Sequence, residues 1–285
     1  MVRKEETYYW PLWFSKILSP REQRKIKKII PQLGRAQNYL WRALNIYDDF
    51  LDGAGERAEL PLANRCFRCY LEIHYRLNLS SDYYRLFNKI NNDLDKANQE
   101  EITAPKIKIK NNRIFFPNKL VPNKKANSLA RKSLALALGP LALLFALNGK
   151  KSKHHPKFWA AFNFFVYSLA AKQLADDSHD WHEDLEEGLI TSANRPILLA
   201  ARKRNLKLTL ENPSTTANLL FAIEAAPLIN AELENLCARA RREMAKISKN
   251  KKNILLTRLI TPLEKACAKA KKFQALVVSN SQKML

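Results

Sequence analysis

Glycine is scarce in this sequence, cysteines are few, and no apolar run is long enough for a confident membrane span. Only six of the 285 residues are glycine. Turn-rich β folds depend on glycine, so this composition favours helices. The 46% of hydrophobic residues excludes a disordered chain, because an apolar content this high is sufficient to build a core.

The four cysteines do not form the pattern of a disulfide-rich or zinc-binding domain. Cys66 and Cys69 make a C-x-x-C pair, but Cys237 and Cys267 are isolated, so a four-cysteine zinc site lacks its second pair. We interpret the pair as helix packing residues in preference to metal or redox groups. A reducing, cytoplasmic setting is expected for such a chain.

The longest run without a charged residue is SLALALGPLALLFALNG, residues 133–149. Gly139 and Pro140 interrupt it, and it is shorter than the ~20 apolar residues of a membrane helix, so we expect a buried core helix. The N-terminal stretch MVRKEETYYWPLWF has no long apolar core after its charges and is not expected to be a signal peptide.

Basic residues far outnumber acidic ones, with 49 Lys and Arg against 27 Asp and Glu and a formal net charge of +22. This excess indicates an anionic partner, which is a nucleic acid, a phosphate-bearing small molecule or an anionic membrane surface. It is equally consistent with a Lys-rich proteome that places lysine on every exposed face.

Helical spacing of apolar residues dominates the first part of the chain. Between residues 21 and 52 apolar side chains recur three and four positions apart. A break or a new helix start is expected at Pro31, and Gly53 and Gly55 are expected to end the helix. Another helix is predicted after Pro61.

Residues 105–117 depart from the helical pattern. KIKIK alternates, Asn111 and Asn112 stand where a two-residue turn belongs, and RIFF follows, so we predict a small β-hairpin insertion. Beyond it, one long helix is predicted from about Phe158 to Glu187. With no internal repeat or long linker, we predict a single all-α domain over residues 1–285.

Two short segments concentrate aspartate in otherwise apolar helices. The first acidic segment, YDDFLDG, contains Asp48, Asp49 and Asp52 at a predicted helix end. Crowded carboxylates repel one another, and the C-terminal end of a helix carries the negative pole of its dipole. This unfavourable placement favours a functional role over a merely solvated helix end.

The second acidic segment is QLADDSHDWHED, residues 173–184. Asp176, Asp180 and Asp184 recur every four residues and share a helix face, and Asp177 flanks that face. Each segment is predicted at the end of a long apolar helix. If the two helices run side by side, the carboxylates face each other over a cavity walled by Leu and aromatic side chains.

Oxygen ligands on two helices are typical of Mg²⁺, which keeps several waters and shares its coordination with substrate phosphates. Magnesium ions held in this way are expected to bind a diphosphate and stabilise it as a leaving group. An apolar, aromatic cavity beneath the diphosphate suits a hydrocarbon chain, because aromatic faces stabilise a carbocation.

The histidines of the second acidic segment leave an alternative. His179 and His182 alternate with aspartates, a donor set that suits zinc or iron. Neither histidine lies on the shared aspartate face, and the other histidines have no matching carboxylate pattern. A metal-dependent hydrolase is therefore the weaker hypothesis.

With both segments in view, the sequence resembles the class I isoprenoid synthases. The second acidic segment is most similar to the squalene and phytoene synthases, and its DDSHD also satisfies the DDxxD form of the trans-prenyltransferases. The resemblance is local, with its anchors between residues 40 and 195. It implies an all-helical bundle around a central apolar cavity, in which Mg²⁺ binds a prenyl diphosphate that ionises to an allylic carbocation for coupling or cyclisation.

The resemblance also assigns roles to residues. Gln173 is expected near the diphosphate. The implied metal ligands are Asp48, Asp49, Asp52, Asp176, Asp177, Asp180 and Asp184.

The basic residues depart from the family pattern. No Gly-Lys-Arg motif precedes the first acidic segment, and LITSANRP lacks the Tyr of the Arg-x-Tyr-x-Pro stretch of the head-to-head branch. We choose Arg57, Lys172 and Arg195 as diphosphate-side candidates from charge complementarity and proximity in sequence. A single-substrate or atypical synthase fits these departures better than a chain-elongating enzyme.

Two other functions stay open. A catalytically inactive relative would keep the bundle as a binding module. A nucleic-acid-binding protein would use the hairpin cations Lys106, Lys108, Lys110 and Arg113. The acidic segments would repel phosphates without a metal, so a nucleic acid is not the expected partner. The basic surface also allows peripheral membrane association, and a dimer is compatible with the sequence.

Overall fold

Helices form most of the chain in a computed structural model, which describes residues 6–51, 53–111, 113–116, 120, 125–149, 155–209, 216–248 and 253–282. Asp52 and Asn112 lie outside these ranges. The chain begins with α1 (Glu6–Ser15), α2 (Pro20–Ile26), α3 (Ile30–Leu51), α4 (Leu60–Arg76) and α5 (Ser81–Ile102).

A β-hairpin made of β1 (Lys108–Lys110) and β2 (Arg113–Phe115) separates α5 from the later helices. These are α6 (Ala126–Ala130), α7 (Leu138–Asn148), α8 (Pro156–His179), α9 (Trp181–Glu186), α10 (Arg195–Lys203), α11 (Thr216–Leu220), α12 (Ala226–Ile247) and α13 (Thr261–Gln282). Short 3₁₀ turns are Arg57–Glu59 and Leu134–Ala137, and π-helical turns are Phe221–Ala225 and Leu256–Ile260.

The chain packs as two compact units, each assembled from three stretches. The first unit contains Met1–Ile102, Arg131–Val166 and Arg241–Arg258. The second contains Thr103–Ala130, Tyr167–Ala240 and Leu259–Leu285. The first acidic segment belongs to the first unit, and the hairpin and the second acidic segment belong to the second. Among the helices described, none combines the length and apolar content required to cross a membrane.

Helix α3 organises the first unit. Its buried face, which includes Leu33 and Leu40, contributes to the apolar core, and α3 packs against α1 and α4. Gly34 lets α1 approach closely, because a Cβ at this position would lie 2.8 Å from the carbonyl oxygen of Tyr8. Removing such apolar surface from water stabilises the unit by roughly 25 cal/mol per Å².

The ends of α2 and α3 confirm the predicted break and stop. Helix α2 ends at Ile26 and α3 begins at Ile30, so Pro31 lies in the first turn of α3, where its missing N–H costs no helical hydrogen bond. Helix α3 ends at Leu51, and Gly53 follows with φ +75°.

The uncharged run at residues 133–149 forms the expected core helix. Every residue of α7 from Leu138 to Phe145 is buried. The Phe145 ring contacts the rings of Tyr83 and Phe158 edge to face. A helix that is apolar on all sides is suited to a position inside a protein core.

The predicted β-hairpin is confirmed in the second unit. Lys108 pairs with Phe115, Ile109 with Ile114 and Lys110 with Arg113. Asn111 has φ +49°, the left-handed conformation that a two-residue hairpin turn requires and that Asn tolerates.

The prediction of one helix from Phe158 to Glu187 is wrong. Helix α8 ends at His179, and Asp180 has φ −96° and ψ 9°, outside the helical region, before α9 begins. The indole of Trp181 is buried and stacks on Phe221 with ring centroids 4.8 Å apart. We attribute the break to this packing, which sequence periodicity does not register.

Candidate active site

The first acidic segment lies at the exposed end of α3. The Nζ atom of Lys132 lies 3.4 Å from Oδ1 of Asp48 and also pairs with Glu101. Burial of the amine opposes its charge, yet the carboxylates of Asp48 and Glu101 raise the pKa of Lys132 above its usual value. Sequence reasoning missed Lys132, because no local pattern connects it to Asp48.

The backbone after α3 forms a turn that is hydrogen-bonded to Asp49. Its carbonyl oxygen accepts hydrogen bonds from the N–H groups of Ala54 and Gly55, at 2.9 and 2.7 Å. The candidate Arg57 follows this tight turn in an exposed 3₁₀ turn. The side chain of Asp49 is also exposed, so both described aspartates of the segment are open to solvent.

An apolar pocket of about 290 Å³ lies beside the first acidic segment, within the first unit. Phe50 and Leu51, which separate the aspartates of DDFLD, contribute to its wall. The hydroxyl of Tyr47, another wall residue, donates a hydrogen bond of 2.6 Å to Oδ1 of Asn64. The other lining residues are Leu44, Phe67, Leu94, Asp95, Asn98 and Ile102.

At the start of the second acidic segment, two pairs of side chains four residues apart on α8 contact each other. The amine of Lys172 pairs with Oδ2 of Asp176. The amide Nε2 of Gln173 donates to Oδ1 of Asp177 at 2.8 Å. Lys172 and Gln173, predicted beside the diphosphate, therefore lie among the predicted ligands.

The carboxyl of Asp184, in the second acidic segment, is perturbed by its surroundings. Burial and the neighbouring carboxylate of Asp177 raise its pKa to about 7, with Asp180 adding to the effect and a hydrogen bond from the Thr191 hydroxyl opposing it. Its Oδ2 atom is buried and has no hydrogen-bond partner among the residues described. A carboxyl in this environment favours a proton or another cation.

A compact loop after α9 holds Asp184 and introduces Arg195. The N–H of Leu189 donates to the carbonyl oxygen of Asp184 at 2.7 Å. The buried side chain of Asn194 bonds to the backbone of Leu189 and Thr191. The N–H of Arg195 donates to the carbonyl oxygen of Thr191 at 3.1 Å, so this candidate begins α10 next to the loop.

The hairpin adds Lys106 to this end of the second unit. The N–H of Ile107 donates to the carbonyl oxygen of Gly188 at 2.7 Å. A Cβ built on Gly188 would lie 2.8 Å from the oxygen of Ile107 and 3.6 Å from Cβ of Lys106. The sequence marked Lys106 only as a hairpin cation, because a contact with Gly188 depends on tertiary packing.

The histidines of the second acidic segment lie aside from the aspartates. His179 is exposed, and Nδ1 of His182 lies 3.4 Å from Oε1 of Glu186 on the same helix. Among the described residues, which leave out Asp52, no group of three His, Cys, Asp or Glu side chains is arranged to hold a metal ion.

No protein-family model matches the chain, and no curated protein matches it by sequence. In three dimensions the chain is similar to the geranylgeranyl pyrophosphate synthetase from the archaeon Geoglobus acetivorans. The TM-score is 0.61 and the sequence identity 13%, with 93% of this chain and 84% of that chain covered. The predicted all-α fold of the isoprenoid synthase type is thereby confirmed. At this identity the likeness establishes the fold alone.

Proposed function

We propose that the chain is a Mg²⁺-dependent class I isoprenoid synthase. It binds a prenyl diphosphate through its two aspartate-rich segments and ionises the substrate to an allylic carbocation, which then couples or cyclises. Three features support this proposal together: the isoprenoid synthase fold, DDFLD at the end of α3 and DDSHD at the end of α8.

The observation that carries the proposal is the environment of Asp184. Burial of the carboxyl and the nearby carboxylates of Asp177 and Asp180 raise its pKa to about 7, and its buried Oδ2 has no hydrogen-bond partner among the residues described. Such an environment destabilises the ionised carboxyl unless a cation is taken up, and oxygen-only donors suit Mg²⁺. The donor chemistry of the segment therefore fits the metal that the proposed reaction uses.

The residues divide into two roles. Asp48, Asp49 and Asp52 of one segment and Asp176, Asp177, Asp180 and Asp184 of the other would hold Mg²⁺. Bound Mg²⁺ would supply Lewis-acid stabilisation of the leaving diphosphate. Lys172, Arg195, Arg57 and the newly identified Lys106 are the candidates for direct contacts with diphosphate oxygens.

The proposed chemistry is breakage of one carbon–oxygen bond. The electron pair of that bond leaves with the diphosphate, and the allylic fragment keeps the positive charge. Aromatic ring faces near the hydrocarbon stabilise this cation. The pocket lined by Tyr47, Phe50 and Phe67 is the candidate for holding the hydrocarbon.

The test is release of diphosphate from prenyl diphosphates of increasing length, with Mg²⁺ or with EDTA. We expect Mg²⁺-dependent release that falls by about 100-fold or more in Asp180→Asn, since transition-state contacts of this kind contribute several kcal/mol. Asp93→Asn is the matched control, because Asp93 pairs with Lys89 four residues earlier on α5 and lies outside both acidic segments. No release with any substrate would refute the proposal, and binding of Mg²⁺-pyrophosphate without turnover would identify an inactive binding protein.

A further inference from the structure

We infer that the solvent-facing side of the β-hairpin is a docking surface for an anionic lipid membrane. This surface, the hairpin face, consists of Lys108, Lys110, Arg113 and Phe115. All four side chains are exposed, and Phe115 exposes 48% of its surface.

The hairpin is amphipathic across its two faces. Residues directly opposite each other in an antiparallel pair point to the same side. The pairs Lys108–Phe115 and Lys110–Arg113 therefore share one side, and the pair Ile109–Ile114 shares the other. Ile114 is buried, as is Ile107 before the strand. The apolar side thus anchors the hairpin, and the cations and Phe115 face outward.

A second basic segment joins the hairpin within the same unit. The N–H of Ile114 donates to the carbonyl oxygen of Leu208 at 3.0 Å, and Arg113 forms a β-bridge with Thr209. Residues 103–116 and 195–209 contain no Asp or Glu. Their cations are Lys106, Lys108, Lys110, Arg113, Arg195, Arg202, Lys203, Arg204 and Lys207.

The arrangement on the hairpin face is unfavourable for the isolated fold. Lys110 and Arg113 are like charges directly across the hairpin, which repel each other. Phe115 leaves a large apolar surface in water between cations. An anionic membrane removes both penalties, because lipid headgroups neutralise the cations and the interface accepts an aromatic ring.

A lipid surface is favoured over a nucleic acid by the position of the hairpin. Ile107 hydrogen-bonds to Gly188, directly after the helix that carries Asp184. The substrate of the proposed function is an amphipathic lipid diphosphate, which partitions into membranes, so a membrane-facing hairpin would place this end of the unit near its source. The preference for a membrane over a nucleic acid rests on the proposed function, whereas vesicle binding can be measured independently of that function.

The experiment is cosedimentation of the full chain with vesicles of phosphatidylcholine, with and without about a third phosphatidylserine. It is done in EDTA and without prenyl diphosphate, so an inactive enzyme does not affect the result. Each cation near an anionic surface contributes about fivefold to partitioning, so Lys108→Gln/Lys110→Gln is expected to weaken binding about 25-fold. Phe115→Ala is expected to weaken it about tenfold.

The matched control is Lys265→Gln/Lys269→Gln on α13, which removes the same charge from two exposed positions. It is expected to leave vesicle binding within about twofold of wild type. Equal losses in the hairpin and control variants would overturn the inference, because net charge alone would explain the binding. Absence of vesicle binding would also overturn it, as would tighter, hairpin-dependent binding to a single-stranded or duplex oligonucleotide.

Discussion

At the scale of single residues, the carboxyl of Asp184 lies in an environment that is unfavourable for its charge. Its carboxyl is half-buried beside Asp177 and Asp180, and its Oδ2 finds no partner among the described residues. A side chain selected only for stability at this position would be neutral. The free chain therefore holds a destabilising charge at neutral pH, which a bound cation would relieve.

We predict that Asp184→Asn stabilises the metal-free protein above pH 7. The folded pKa is about 7 and the ordinary value 3.8, so stability is lost as the pH rises between these values. Solvent screens a half-buried carboxyl, so we expect a gain of about 1 kcal/mol, or about 2–4 °C in Tm. Thermal denaturation in EDTA from pH 4 to pH 8 measures it.

The gain of Asp184→Asn should become small toward pH 4, because the folded carboxyl is then protonated and the pH is close to the ordinary pKa of 3.8. Asn keeps an oxygen that accepts the Thr191 hydrogen bond, so the comparison isolates the charge. Asp93→Asn is the control, with no gain expected. A gain that does not depend on pH would contradict the electrostatic explanation.

At the scale of elements, the contact between the hairpin and the end of α9 depends on one glycine. Gly188 has φ +76°, and a Cβ there would lie 2.8 Å from the oxygen of Ile107. Gly53 has nearly the same conformation, φ +75°, with nothing within 4 Å of a Cβ. Substitutions at these two glycines therefore distinguish the effect of backbone strain from that of a steric clash.

We predict that Gly188→Ala destabilises the protein more than Gly53→Ala does. Both substitutions force alanine into a left-handed conformation at a cost of about 1 kcal/mol. Gly188→Ala also pushes against the Ile107 carbonyl, which is expected to cost about 1–3 kcal/mol more. Urea denaturation of both variants measures the difference in the free energy of unfolding. Equal decreases would show that the hairpin moves away from the added Cβ without destabilising the protein.

Some elements could be predicted from the local sequence, whereas others depend on tertiary packing. Alternation and the Asn turn sufficed for the hairpin, and the apolar run sufficed for α7, because both patterns act over a few neighbouring residues. The break at Asp180 was missed, since it accompanies Trp181 packing on a distant Phe221. Lys132 beside Asp48 and Lys106 beside Gly188 were missed for the same reason.

At the scale of the whole molecule, the dominant property is the net charge of +22. Such an excess repels itself more strongly in the compact state than in the unfolded chain. The ion pairs on the described surface, such as Lys89–Asp93 and Arg76–Glu72, are exposed and contribute little each. Repulsion is therefore expected to govern the response of stability to salt.

We predict that added sodium chloride raises Tm by several degrees between low and physiological ionic strength. Screening over a Debye length of about 8 Å weakens the repulsion among the cations. Differential scanning calorimetry at a series of salt concentrations measures this shift. An equal osmolality of sucrose separates screening from preferential exclusion, and a Tm that falls with salt would mean that attractive pairs dominate.

The amines of Lys132 and Lys172 act, on the proposed function, as tethered counter-ions. Each already neutralises an aspartate in the free chain, at Asp48 and at Asp176. On that function, a magnesium ion that arrives without substrate would compete with these amines for the carboxylates and would bind weakly. A diphosphate that attracts such an amine would release the carboxylate beside it. Metal binding would then depend on the substrate, and a protein without substrate would not deplete the magnesium pool.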